Sequence, residues 1–134
     1  MSSILDLPRT GLSVRPGKLS GSWIFEPKAI EDERGFFAET QRADMIEEVL
    51  GRPYRYAQTN HVHSKAGTLR GFRAEPWDKF ISVATGRVFG TWVDLREGDS
   101  FGMVFTTEIT GDVAIYVPRG IGNSYQSLEP DTSY

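Results

Sequence analysis

The sequence predicts an all-β domain, a sandwich or small barrel carrying one short helix. Three observations lead there. Fourteen glycines and seven prolines punctuate a chain of 134 residues. Apolar side chains in its second half recur at every other position, the period of a half-buried strand. Only Arg42–Leu50 has the spacing of a helix. A chain of this length suits one domain built on one core.

Taken in order, residues 1–20 read as an irregular N-terminal extension, broken by Pro8, Gly11, Pro16 and Gly17, with the domain proper over residues 21–134. Ser22–Glu26 is a strand stopped by Pro27, and Glu31–Gly35 is a charged turn leading into Phe36–Gln41. The helix follows, with Thr40 as its expected cap and Met45, Ile46, Val49 and Leu50 as its apolar stripe; Gly51 and Pro53 end it. Phe80–Thr85 and Arg87–Leu95 flank Thr85-Gly86 as an expected hairpin. Phe89, Thr91, Val93 and Leu95 share one face of its second arm; Phe101, Met103, Phe105, Thr107 and Ile109 repeat the pattern in the next strand. Turns at Thr110-Gly111-Asp112 and Pro118-Arg119-Gly120 bracket Val113–Val117.

Composition removes several classes of function. A net charge of -3 with no basic run gives nucleic acid no electrostatic reason to bind. Cysteine is absent, which excludes disulfides and thiolate chemistry and argues against structural zinc. No run of 18 apolar residues offers a membrane span, and the first twenty residues contain no apolar signal segment, so the expected setting is the cytoplasm.

Polar chemistry gathers in Gln58–Phe80, which holds both histidines. His61 and His63 are two apart and share a face if extended. An H-x-H pair can hold a metal in a small β-barrel, but such sites usually add a further histidine, and there is none; two polar histidines beside a pocket is the other reading. Arg34, Arg70, Arg73 and Lys79 lie near strand ends and glycines; converging on one cavity they would bind a diphosphate, and taken singly they are solvated charges. Gln58 and Asn60, on one strand face, could read a base edge or sugar hydroxyl, or satisfy backbone groups. Phe36, Phe37 and Trp77 could stack on a ligand or fill the core.

Four blocks in order resemble the dTDP-4-dehydrorhamnose 3,5-epimerase family of sugar-nucleotide cupins. They are Phe25-Glu26-Pro27 with Asp32–Phe37 and Glu39; Gln58, Asn60, Ser64, Gly67 and Leu69-Arg70-Gly71; Lys79, Gly86 and Val93–Arg96; and Val117–Gly120. The likeness is greatest to the variant that carries Glu75-Pro76-Trp77-Asp78-Lys79. It implies a cupin-type jelly-roll, a homodimer and no metal. No cofactor is expected, and because a sandwich of this size leaves open sheet edges, the strand around Ser22–Glu26 is the one expected to cross to the partner. The implied ligand is a dTDP-sugar or other nucleotide sugar.

The family's chemistry, as the resemblance implies it, removes protons beside the C4 ketone of a dTDP-4-keto-6-deoxyhexose. That needs a base, a cation at the enolate oxygen and an acid on the opposite face. Lys79 falls at the enolate position, Arg34 at a phosphate position and Arg70 in the pocket. Phe37, Glu39, Gln58, Asn60 and Asn123 are the other implied substrate contacts, Asn123 standing where relatives carry a histidine. The base position is Arg73, and a guanidinium keeps its proton. His63, His61 and Glu75 are the groups that could replace it. Tyr134 lies near the position of the proton-returning tyrosine, which the register puts just beyond it. Family chains run on and supply an aspartate that orients the base, so the expectation is that this C-terminal part is absent. Two functions stay open: an epimerase-like enzyme impaired at its base, and a non-catalytic cupin that binds a nucleotide sugar or a protein.

Overall fold

A computed structural model describes residues 11–134. Alternating apolar positions build two four-stranded antiparallel sheets. The first contains β1 (Ser13–Pro16), β2 (Trp23–Glu26), β7 (Lys79–Ile81) and β10 (Ala114–Val117), in the order β1-β2-β10-β7. The second contains β6 (Leu69–Arg73), β8 (Val88–Asp94), β9 (Val104–Ile109) and β11 (Ile121–Ser127), in the order β6-β11-β8-β9. Two small ribbons complete the fold: β3 (Ile30–Asp32) with β4 (Gly35–Phe37), and β5 (His63–Ser64) with β12 (Thr132–Ser133).

The first sheet is covered on both sides, which is why Ala114-Ile115-Tyr116-Val117 is buried throughout and does not alternate with polar residues. Ile24, Ile81, Ile115 and Val117 face the second sheet and meet Val88, Trp92, Ile109, Ile121 and Tyr125. Phe25, Ala114 and Tyr116 face the other way, against Met45 and Ile46 of the helix α1 (Ala43–Leu50). Gly51 ends that helix with φ 71, the left-handed backbone that a residue without Cβ adopts freely.

The structure corrects three expectations. Residues 1–10 lie outside the described residues, but Ser13–Pro16, assigned to an irregular extension, is a strand that pairs with β2 in register Ser13↔Glu26 to Pro16↔Trp23. Thr40 does not cap α1. The N-cap is Arg42, which makes no side-chain cap; its buried guanidinium instead pairs with Glu39 and Asp44, both at 2.9 Å. The expected hairpin does not form, because β7 pairs with β10 in one sheet while β8 belongs to the other. Between them Thr85 bridges Ser133, and a Cβ at Gly86 would stand 2.8 Å from the Thr132 Cα, so that crossing requires glycine. Phe89, Thr91 and Val93 share a face as expected, and it is the outer one. Val88, Gly90, Trp92 and Asp94 point inward, the Trp92 ring lying 2.3 Å from where a Cβ at Gly90 would be.

Candidate functional site

The site begins with a count that a regular strand would get wrong. Residues three apart on a strand face opposite ways, so Arg70 and Arg73 should diverge. In the structure Arg73 stands opposite Asn123 and Arg70 opposite Tyr125. Gly71 and Phe72 together therefore face the single residue Ser124, which is a β-bulge. Gly71 makes it possible: its φ is +119, and a Cβ there would sit 2.6 Å from the Asn123 carbonyl oxygen. The bulge brings both arginines to the inner face. Across the sheet they continue two rows, Arg73–Asn123–Trp92–Phe105 and Arg70–Tyr125–Gly90–Thr107.

The ribbon of β5 and β12 closes one side of this face. Val62 and Tyr134 exchange backbone hydrogen bonds of 2.8 and 3.0 Å, which lay the Tyr134 ring on Tyr125 at a centroid distance of 3.6 Å. The Tyr134 hydroxyl donates to Asn123 Oδ1 at 3.4 Å. Burial pushes the Tyr134 phenol up, against a smaller downward pull from Asn123, so it keeps its proton at neutral pH. Arg70 is aimed by Ser64, whose Oγ accepts from Nε at 2.9 Å, and by the His63 carbonyl at 3.4 Å. The buried Trp92 Nε1 on the same interior has no hydrogen-bond partner among the described residues.

β6 and β7 are the edge strands of their two sheets, and a short turn joins them. Arg73 and Lys79 thereby meet at Glu75. Lys79 Nζ is 2.8 Å from one carboxylate oxygen and Arg73 Nη2 is 3.6 Å from the other. The Lys79 hydrogen bond holds the Glu75 carboxyl below its ordinary range, against a smaller opposing effect of burial. The residue before Lys79 is fixed separately. Asp78 Oδ2 accepts from the Tyr116 hydroxyl and from Arg52 Nη2 at 2.7 Å, and Oδ1 accepts the Arg119 N–H at 2.8 Å. Burial pushes the Asp78 carboxyl up, but these donors outweigh it and leave it below the usual value.

The remaining expected residues lie apart from this cluster. Arg34 caps the β3–β4 ribbon, with its side chain 84% exposed and bonded to Asp32; Phe36 and Phe37 beside it are exposed. Glu39 is tied to the buried Arg42. Gln58 and Asn60 do not share a strand face, since neither lies in a strand. They meet through a 3.0 Å hydrogen bond in an irregular segment, the Gln58 amide donating. His63 is exposed, with Nε2 3.5 Å from Asp131. Among the described residues no group of three His, Asp or Glu is arranged to hold a metal.

Three contributors escaped the sequence reading: Tyr125, the bridging of two cations by Glu75, and the Asp78 clamp. Tyr125 was accessible, being two residues from Asn123 on one strand. Asp78 was not, because its partners Arg52, Tyr116 and Arg119 lie 26 to 41 residues away.

Comparison with known proteins decides the family. The family model described as dTDP-4-dehydrorhamnose 3,5-epimerase matches residues 16–134. The chain belongs to that family. An RmlC homolog of Streptococcus pyogenes serotype M6 is 46% identical over 124 residues, covering 87% of this chain and 62% of its own length. The dTDP-4-dehydrorhamnose 3,5-epimerase of Shigella flexneri is 32% identical over 118 residues, covering 83% of this chain and 65% of its own. The chain thus spans just over three fifths of these curated relatives. Among solved structures, RmlC from Streptococcus suis in complex with dTDP-D-xylose superposes with a TM-score of 0.82 at 40% identity, covering 92% of this chain and 67% of that one. NovW, a 4-keto-6-deoxy sugar epimerase from Streptomyces spheroides, gives 0.84 at 31%, covering 95% and 68%. The sandwich described above is the cupin-like β fold of this epimerase family.

Proposed function

We propose that this chain binds a dTDP-4-keto-6-deoxyhexose or a closely related nucleotide sugar between its two sheets, and that its ability to remove a proton from the sugar is impaired. One observation carries the reading: the bulge at Gly71 turns Arg70 and Arg73 to a single inner face, beside Lys79 and Asn123. Arg70 offers a guanidinium to a diphosphate, with Arg34 as a second donor from the exposed ribbon. Lys79 is the cation for the C4 oxygen, and the buried phenol of Tyr134 is a proton donor. Arg73, at the position of the family's base, cannot accept a proton. Glu75 and His63 remain as substitute bases, Glu75 weakened by Lys79. Phe37, Glu39, Gln58 and Asn60 would reach the ligand only from outside the inner face.

Relatives have been solved with nucleotide sugars bound: the Streptococcus suis protein with dTDP-D-xylose and the Legionella pneumophila protein with dTDP-4-keto-L-rhamnose. The loss of a basic group at Arg73 equally supports a non-catalytic cupin that keeps the ligand and not the reaction. A homodimer accords with the exposed side chains Leu69, Phe72, Phe89, Leu95 and Val104, too many apolar groups to leave in water. Nucleotide sugars are made and used in the cytoplasm, which is the proposed setting; no helix among the described residues is long and apolar enough to cross a membrane.

Titration calorimetry tests the ligand class. dTDP should bind more tightly than a free deoxyhexose, and Arg70→Ala should weaken dTDP by about 1.5–3 kcal/mol, the range for hydrogen bonds to a charged group. Absence of heat with dTDP and every dTDP-sugar would overturn the proposal.

A further inference from the structure

We infer that Arg73 makes the sugar end of this pocket a carboxylate site, so that the preferred ligand is a nucleotide sugar with an acidic ring substituent, a hexuronate. The inference rests on the nucleotide-sugar reading and, within it, selects a related sugar with a carboxylate at C6 over the 6-deoxyhexose, whose C6 is a methyl group. Arg73 is held on the inner face by the Gly71 bulge, directly across from Asn123. Its side chain is 73% exposed, and the only opposite charge in reach among the described residues is Glu75 at 3.6 Å. That carboxylate is already engaged by Lys79 at 2.8 Å. Two cations share one anion, which leaves one positive charge in excess at the mouth.

A guanidinium presents parallel N–H donors in a plane, the geometry that receives a carboxylate through two bonds at once. The Asn123 amide next to it adds a neutral partner. A neutral hexose offers only hydroxyls there and leaves the guanidinium with no more than its 3.6 Å share of Glu75. A ring carboxylate supplies that charge without displacing Glu75 from Lys79.

The test compares a matched pair, dTDP-glucuronate and dTDP-glucose, with dTDP alone as reference, by calorimetry at one salt concentration. The unaltered protein should bind the uronate at least about tenfold more tightly than the hexose, or about 1.4 kcal/mol. Arg73→Met should bring the ratio of the two dissociation constants to near one. Arg73→Lys, which keeps the charge but not the fork, should leave an intermediate ratio and decides the matter if the methionine variant does not fold. Equal affinity for the two sugars in the unaltered protein, or a preference that survives Arg73→Met, overturns the inference while leaving nucleotide-sugar binding intact. If none of the three ligands binds, the nucleotide-sugar reading fails and the carboxylate site falls with it.

Discussion

Gly71→Ala perturbs the feature on which the inner face depends. The added Cβ would stand 2.6 Å from the Asn123 carbonyl oxygen and 2.8 Å from the Ser124 Cα, both backbone or backbone-adjacent atoms that cannot swing aside. It would also have to hold φ +119, which side chains with a Cβ rarely adopt. Overpacking costs about 1–3 kcal/mol and an unfavourable backbone region about 1–3 kcal/mol, so the sum is about 4 kcal/mol. Gly67→Ala is the control: its φ is +82, but nothing lies within 4 Å of the new Cβ, and backbone strain alone predicts about 1–2 kcal/mol. Urea denaturation of both variants measures the difference. Gly71→Ala should also lose dTDP affinity, because relieving the clash straightens the bulge and turns one arginine away. Equal stabilities for the two variants, or a Gly71→Ala protein that binds dTDP as before, would refute it.

Three further outcomes follow from the same geometry. Asp94 is fully buried and its carboxylate accepts bonds from the Arg96 side chain and N–H and from Ser100 Oγ, the Arg96 hydrogen bond holding it well below its ordinary pKa. Asp94→Asn should cost about 3 kcal/mol, read as a thermal midpoint lower by about 10 °C. Because the folded pKa is depressed, this stabilisation is present above the unfolded value of about 3.9 and lost as pH falls through the folded one. An acid denaturation profile should accordingly be flatter in the asparagine variant. Tyr134→Phe should cost less than about 1 kcal/mol, since its hydrogen bond is 3.4 Å long, whereas Tyr134→Ala forfeits the stack on Tyr125 and should cost about 3 kcal/mol in the same melts.

Local chemistry was legible in the sequence and pairing was not. The helix could be read because its signals are adjacent: an apolar stripe at Met45, Ile46, Val49 and Leu50, then a glycine free to turn left-handed. The period-two runs around Phe80 and Arg87 located strands, yet period two does not say which sheet a strand joins. Only Thr132 and Ser133, packed against Gly86 and Thr85, show why the chain crosses there. Period two puts Phe89, Thr91 and Val93 on one face of β8 without saying which face is inner; that is set by Trp92, whose ring takes the space that Gly90 leaves. The site failed in the same way. A bulge adds one residue to the count and exchanges faces beyond it, so the sequence names Arg70 and Arg73 but does not say that they share a face. Spacing alone puts Gln58 and Asn60 on one strand face, and the irregular backbone there removes that premise.

On the function proposed above, Arg73 leaves a nucleotide-sugar pocket without an effective base. Proton NMR of dTDP-4-keto-6-deoxyglucose with the protein in deuterium oxide reads this directly, since each abstraction at C3 or C5 replaces hydrogen by deuterium. General base catalysis contributes about a hundred- to ten-thousand-fold, and a guanidinium at that position forfeits it. The predicted result is exchange near the rate in buffer, in a sample that binds dTDP. Rapid loss of either signal would contradict the claim, and Glu75→Gln and His63→Gln would then identify which group carries the proton.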